Sequence, residues 1–331
     1  MRVLVTGGAG FIGSHFVRRL VLKGEDVRVL DKLTYSGNPA NLDGVEAELV
    51  VGDICDPEAV AMAAAGCDAI VNFAAETHVD RSILGQSEFI QTNVFGAQVL
   101  VEHARAAGLR LVHVSTDEVY GDVPEGVSSR EKDALQPSSP YSAAKAGGDL
   151  LVLAAVRTHE LDAIVTRGSN TYGPNQYPEK LLPLFLTNAL DGEPLPMYGD
   201  GSQVRDWLFV EDHCAGIELA LRRGRAGAVY NVGGGEEATN REITDLVLEH
   251  TGSDEALVQR VEDRPGHDRR YSLDTTAIRE ELSWEPRTRL VEGFPLTAAW
   301  YRENRAWWEP IKSSGGYRAY YEKQYAARLQ A

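Results

Sequence analysis

Tyr141 and Lys145 stand four residues apart, the spacing that puts two side chains on one face of a helix. A free phenol has a pKa of about 10, and a nearby ammonium is the simplest way to bring it towards neutrality, where it can take a proton from an alcohol. A shift of about three units corresponds to roughly 4 kcal/mol of differential stabilisation. Upstream runs Ser115-Thr116-Asp117-Glu118-Val119-Tyr120-Gly121, with two carboxylates side by side. Adjacent carboxylates repel, so one of them keeps a proton, and the pair can divide general-acid from general-base work. Most Tyr-x-x-x-Lys patterns are a packed aromatic beside a surface lysine, and most acidic pairs are solvated turns. The start of the chain shifts that balance.

Thr6-Gly7-Gly8-Ala9-Gly10-Phe11-Ile12-Gly13 follows a short apolar run and opens an amphipathic segment. Gly7, Gly10 and Gly13 carry the spacing that permits a tight strand-to-helix turn and lets backbone approach a pyrophosphate at the positive end of a helix. Asp31 ends the second strand, eighteen residues past Gly13, where a carboxylate can hold the adenosine ribose hydroxyls. Such an acid also repels a 2′-phosphate, which favours NAD over NADP. Lys32 tempers that preference, because a cation there could accept the phosphate.

Elements that could position these groups alternate along the first half. Residues 3–5, 27–30, 48–51, 69–71, 111–114 and 163–166 read as strands; 11–22, 57–65, 87–107 and 140–159 read as helices. The fold class expected is α/β, a doubly wound parallel sheet of Rossmann type, followed by a smaller, mixed α/β substrate domain. Its strand ends place Thr116, Asp117 and Glu118 at the carboxyl edge, where ligands bind in such sheets. The boundary falls after Arg167, giving an NAD-binding domain at 1–167 and a substrate domain at 168–331. Pro174, Pro178, Pro183, Pro194 and Pro196 break up the chain beyond it. Helices are expected there at 181–191, 211–222, 240–250, 276–282 and 290–305, and residues 229–232 form a strand that could return to the first sheet. The tail from Lys312, rich in tyrosine, reads as a peripheral helix or a mobile end.

Composition limits the function classes. Lys plus Arg total 33 and Asp plus Glu 49 in 331 residues, a formal charge of 33 − 49 = −16, which repels a phosphate backbone and argues against nucleic-acid binding. Cys55, Cys67 and Cys214 are too few and scattered for a disulfide framework, and no spacing suited to a metal occurs. The chain opens without a signal-peptide core, and its longest apolar stretch, residues 59–75, is broken by Asp68 and Asn72. A cytoplasmic protein that does not enter a membrane is the expectation. His103, His113, His159 and His250 read as surface or packing residues, and Trp300, Trp307 and Trp308 as core anchors.

Taken together, the glycine pattern, Thr116 and Tyr141-x-x-x-Lys145 resemble an extended short-chain dehydrogenase/reductase. Asp117-Glu118, Ala74-Ala75-Glu76-Thr77-His78-Val79-Asp80-Arg81-Ser82 and Tyr172-Gly173-Pro174-x-Gln176-x-Pro178-Glu179-Lys180-Leu181 narrow the resemblance to the dTDP-glucose 4,6-dehydratases. So do Leu195-Pro196-Met197-Tyr198-Gly199-Asp200-Gly201, Arg205-Asp206-Trp207 and the run from Asp263 to Tyr271. The likeness reaches Trp308; the final twenty or so residues lie outside it.

The resemblance implies that Phe11, Ile12, Asp31, Lys32, Leu33, Thr34, Asp53, Ile54, Phe73, Ala74, Ala75, Glu76, Thr77 and Thr92 line the NAD site, with Tyr141, Lys145 and Thr171. It assigns the nucleotide sugar, dTDP-glucose, to Thr77, Thr116, Asn170, Lys180, Leu181, Pro196, Met197, Tyr198, Arg205, Asn240, Asp263, Arg264, Pro265, Gly266 and His267. Thr171 stands where the family usually has a second Asn; its hydroxyl can still donate, but with a shorter reach. Gly168 replaces a common cysteine and reads as a neutral packing change. On this reading Tyr141 takes the proton of the sugar's 4-hydroxyl, Glu118 removes the proton at carbon 5, and protonated Asp117 assists departure of the 6-hydroxyl. A 4-epimerase or decarboxylase on the same scaffold would share Tyr141 and Lys145 but would not need the Asp-Glu pair. A non-catalytic NAD-sensing module would need neither. The family usually pairs into homodimers, and the wholly apolar run Leu150 to Val156, with Val94, Ala97, Leu100, Val101 and Ala104, suits a symmetric helix-bundle interface.

Overall fold

The structure is a computed structural model, and it describes residues 1–326. Its strands in chain order are β1 (Arg2–Thr6), β2 (Asp26–Asp31), β3 (Glu48–Val51), β4 (Ala69–Asn72), β5 (Arg110–Thr116) and β6 (Ala163–Gly168). Then follow β7 (Asn170–Tyr172), β8 (Leu195–Tyr198), β9 (Val204–Phe209), β10 (Val229–Val232), β11 (Glu237–Thr239) and β12 (Val258–Val261). Seven of them form one sheet in the order β10-β6-β5-β4-β1-β2-β3. Every neighbouring pair in it is parallel. The central strands are buried on both faces, which is why they read as unbroken apolar runs instead of alternating ones.

Helices cover both sides. Pro57–Ala64, Ala97–Ala107 and Pro140–His159 bury Val60, Leu100, Ala104 and Val152 against one face. Phe11–Leu22 and Val210–Arg223 bury Phe16, Leu20, Cys214 and Ile217 against the other. Helix Val210–Arg223 and strand β10 both come from the second half of the chain and are built into the first sheet. The helix expected at 87–107 is helical throughout but carries a π-turn at Gln91–Gly96. Close packing accompanies that turn: a Cβ on Gly148 would stand 2.6 Å from the carbonyl of Asn93.

The rest of the second half wraps a separate core around Tyr172, Phe185, Trp207, Phe294, Tyr301 and Trp308. Its two small sheets, β11-β9-β7 and β12-β8, escaped sequence reading because their strands are three to six residues long and pair with partners distant in the chain. As far as Tyr325 the tyrosine-rich tail is neither peripheral nor loose. Helices Arg305–Ser313 and Gly315–Tyr321 lead it back onto the molecule, with Tyr317, Tyr320 and Tyr325 buried. Among the described residues no helix is long and apolar enough to cross a membrane. The last five residues of the expected second domain, 327–331, lie outside the described residues.

Candidate active site

A continuous cavity runs along the carboxyl edge of the seven-stranded sheet. At one end β1 turns into helix Phe11–Leu22. Gly7 has φ +69°, and a Cβ there would meet the Ala74 nitrogen at 2.5 Å; one on Gly13 would meet the Gly7 carbonyl at 2.2 Å. The backbone is therefore cleared for close approach, and the helix behind it begins with no capping side chain and no acid in its first turn. Such a terminus fits a pyrophosphate. Asp31 closes this end. Its Oδ2 accepts the Ala9 amide at 2.9 Å and its Oδ1 the Leu33 amide at 2.8 Å, which oppose the upward pull of burial on its pKa. The donor set suits a dinucleotide.

Phe11, Ile12, Lys32, Thr34, Asp53, Ile54, Phe73, Ala74, Ala75, Glu76, Thr77, Thr92 and Thr171 line the same cavity with the glycines. Leu33 does not; its backbone, at φ +52°, serves the loop by binding Asp31. Lys32, the cation that could have accepted a 2′-phosphate, pairs its Nζ with Asp53 at 2.7 Å. The Ala74–Thr77 segment is fixed by Asn93, whose side chain both donates to and accepts from the Glu76 backbone at 2.9 Å. No motif flagged Asn93; its importance follows from a contact across seventeen residues.

The groups with reactive chemistry gather at the ends of β5 and helix Pro140–His159. Thr116 caps the turn Asp117–Tyr120 by accepting the Glu118 amide at 3.3 Å. Asp117 is 3% exposed; its Oδ1 takes a hydrogen bond from the Thr116 hydroxyl at 3.1 Å, and its Oδ2 has no partner among the described residues. Burial first, then the charges of Glu118 and Asp206, push its pKa far above the carboxylate range. Asp117 thus favours its protonated form. Asp206, on β9, is itself pushed up to about 7 by burial.

Tyr141 and Lys145 share the cavity, but the expected electrostatics need correcting. Burial and then Glu118 raise the Tyr141 pKa well above 10, while the Thr116 hydroxyl pulls it down. Lys145 points its ammonium at the Val114 carbonyl at 2.7 Å, and burial lowers its pKa to about 8, against the pull of Asp149. A buried lysine whose ammonium is engaged by a carbonyl is a weak partner for ionising a buried phenol. In the protein alone Tyr141 stays a phenol.

Beyond Tyr141 the cavity is bordered by Asn170, Lys180 and Leu181, with the Lys180 ammonium on the Thr77 carbonyl at 2.6 Å. The remaining expected sugar-nucleotide residues form an outer group around β8 and the loop at 262–270. Tyr198 donates to Asp80 at 2.8 Å, and Arg264 reaches the other oxygen of Asp80 at 3.4 Å. Arg205 lies over the Tyr271 ring at 4.4 Å. His267 is hydrogen-bonded to Asp263 at 2.5 Å, and Asp263 also accepts from Gln203. Asn240 sits at the start of helix Asn240–Thr251, while Pro265 and Gly266 form an exposed turn. Glu118 acts on the charges of both Arg205 and Arg264, so this group faces the acid pair. Met197 is the exception. Its side chain is turned into the apolar core, leaving only its backbone for a ligand.

Gly168 also departs from expectation. A Cβ at Gly168 would come within 2.4 Å of the His213 ring, so the missing side chain is a steric requirement of this packing. His213 carried no signal in the sequence.

Comparison with known proteins agrees with this geometry. The family model described as GDP-mannose 4,6 dehydratase matches residues 4–297. A dTDP-glucose 4,6-dehydratase of Streptomyces niveus is 56% identical over 324 residues, covering 95% of this chain and 96% of the relative. The crystal structure of a dTDP-glucose 4,6-dehydratase from Streptomyces venezuelae, with NAD and dTDP bound, is 54% identical, covers 94% of this chain and 100% of that one, and superposes with a TM-score of 0.92. A UDP-glucose 4-epimerase from Thermus thermophilus in complex with NAD is more distant, at 34% identity and TM-score 0.86, covering 91% of this chain and 99% of that one.

Proposed function

This chain belongs to the dTDP-glucose 4,6-dehydratase family, and we propose that it performs that reaction with the residues gathered along its cavity. It is an NAD-dependent hydro-lyase that converts dTDP-glucose to dTDP-4-keto-6-deoxyglucose and water. Gly7, Gly10, Gly13 and Asp31 would hold NAD, which would supply a hydride acceptor at the start of the reaction and a hydride donor at its end, with none consumed.

Tyr141 takes the proton of the 4-hydroxyl. Its phenol, held neutral by burial in the protein alone, needs a positive neighbour to ionise, and Lys145 orients the site beside it. Glu118 removes the proton at carbon 5 once carbon 4 is a ketone, and Asp117 delivers its proton to the departing 6-hydroxyl. The observation that carries this reading is the unshared state of the acid pair. Asp117 is buried, with one oxygen unpartnered and its proton retained, directly beside the less buried Glu118. An epimerase has no use for a proton donor there. Incubating the pure protein with dTDP-glucose, without added cofactor, and identifying the product by NMR tests the function. A 4-keto-6-deoxy product is expected; a dTDP-galactose product would assign the epimerase instead.

Three further readings belong to the same proposal. Residues 1–167 hold NAD and residues 168–331 the nucleotide sugar, with Val210–Arg223 and β10 given back to the first sheet. The protein works in the cytoplasm, as its sequence led us to expect. It pairs with a second copy through its two long helices, which is supported by exposed Leu150, Phe95 and Ile90.

A further inference from the structure

Gly168 and Thr171, two departures noted in the family resemblance, lie in one corner of the cavity. β6 ends at Gly168, and the chain turns through Ser169 into β7, so both residues border the space next to Thr116, Tyr141 and Lys145. His213, from the first turns of helix Val210–Arg223, occupies the volume a side chain at Gly168 would need. Its Nδ1 lies 2.8 Å from the Thr171 hydroxyl oxygen. The ring is 2% exposed and lines the cavity, yet its Nε2 has no partner among the described residues. A buried ring nitrogen without a partner is rare, because it forfeits the hydrogen bond it had in water. Burial also holds the ring neutral, its pKa pushed down to about 4. It therefore presents one donor and one acceptor.

We propose that His213, fixed by Thr171 in the room that Gly168 leaves, is a cofactor-binding residue of this chain that offers Nε2 to the carboxamide of the nicotinamide ring. The proposal rests on NAD being the cofactor and adds a residue that the motifs do not assign. Position argues for the reacting end of the dinucleotide, since the ends of β5 and β6 that flank His213 also carry Tyr141's surroundings. Chemistry argues for an amide. The Thr171 hydroxyl also reaches the Ser169 carbonyl at 3.1 Å, so it can accept from His213 Nδ1–H while donating there, which leaves Nε2 as an acceptor. Turned the other way, it donates to Nδ1 and leaves Nε2–H as a donor. A carboxamide carries both an N–H and a C=O and satisfies either tautomer. The imidazole also supplies the reach that Thr171 lacks in place of an asparagine.

NADH dissociation from the full-length holoprotein tests this without turnover. It is read from the loss of bound NADH fluorescence on mixing with excess NAD⁺. His213→Phe keeps a ring over Gly168 but has no ring nitrogen, and release should become about tenfold faster, the worth of one buried hydrogen bond. Calorimetric binding of dTDP should stay at the parent value. Thr171→Val, which removes the hydroxyl at constant volume, should speed release by a smaller factor even if the first variant folds poorly. Adding Thr171→Asn to His213→Phe should recover most of the retention. Release within twofold of the parent in both single variants would overturn the proposal. So would a parallel loss of NADH and dTDP binding with a lowered unfolding temperature, which would make His213 a packing residue. A parent protein that holds no NADH would overturn both this proposal and the NAD reading beneath it.

Discussion

Asp117 and Glu118 are neighbours in the chain but not in environment, and the division of labour proposed for them rests on that difference. Asp117 is buried with its proton held by desolvation and by two nearby carboxylates, while Glu118 is less buried and faces the cations Arg205 and Arg264. Glu118→Gln should therefore still permit oxidation at carbon 4 and then stall. Bound NADH and a 4-keto-glucose intermediate should accumulate in stopped-flow absorbance, with dehydration slowed about 10²–10⁴-fold. Undiminished elimination would remove Glu118 from the base role. Asp206 makes a second prediction, about stability. Its folded pKa of about 7 lies above the ordinary 3.8, so the folded state holds a proton that the unfolded chain releases. Stability from this group is highest below pH 4 and falls as pH rises towards 7. The cost above pH 7 is up to about 4 kcal/mol, three units at about 1.4 each. Asp206→Asn, neutral at every pH, should unfold at a higher temperature than the parent at pH 8, and the two should converge near pH 4. At this scale Tyr141, Lys145 and the acid pair were legible because their spacing is local. The proton on Asp117 was not, since it depends on burial and on Asp206 from β9. The burial that favours a neutral Tyr141 and the placement of His213 in the cavity were hidden for the same reason.

Elements differ in how far their sequence announces them. The strands of the large sheet are covered by helices on both faces, so each leaves a continuous apolar run between polar turns. β7, β11 and β12 are short and owe their pairing to partners far along the chain, so nothing local marks them. The tail is a similar case. Its tyrosines are periodic enough for a helix, but where the helix docks depends on distant partners such as Pro178, Asn188 and Arg81. That guanidinium lies between the rings of Tyr35, from the loop after β2, and Tyr320, at 4.1 and 4.0 Å, and is paired with Glu179 at 2.8 Å. Glu179 adjoins Lys180 in the cavity, so the tail steadies the sugar end from outside. Tyr320→Leu removes one face of the clamp, worth about 1 kcal/mol. The KM for dTDP-glucose should rise about fivefold while kcat stays within twofold of the parent. Tyr320→Phe, which keeps the ring, should behave as the parent; a fall in kcat without a change in KM would mean that the tail acts on the chemistry instead.

At the scale of the whole molecule, the chain must reconcile a charge of −16 with an apolar surface on its two long helices. Leu100, Val101, Ala104, Val152 and Ala155, which the sequence offered to a partner, are already used by the chain's own core, and Ala97 is buried as well. What remains outward is narrower: Leu150 at 58% exposure, Ile90 at 55% and Phe95 at 43%, with Leu153 and Val94 half-buried beside them. The helix run Leu150 to Val156 is apolar all round because the sheet takes one side and this patch forms the other. A two-fold interface would bury each residue twice, once per copy, so a single substitution acts with doubled weight. Fully burying a leucine is worth about 1.5–3 kcal/mol, and Leu150→Glu replaces that gain with a buried charge facing its own copy. Association should therefore weaken by at least about 3 kcal/mol, roughly 10²-fold or more in the dimer constant. Sedimentation velocity at micromolar concentration should show the parent as a dimer and the variant as a monomer. The parent's unfolding temperature should also rise with protein concentration, and the variant's should not. Net negative copies repel, so lowering the salt should favour the monomer of the parent as well. A parent chain that sediments as a monomer at every salt concentration would leave these helices facing water and end the dimer proposal.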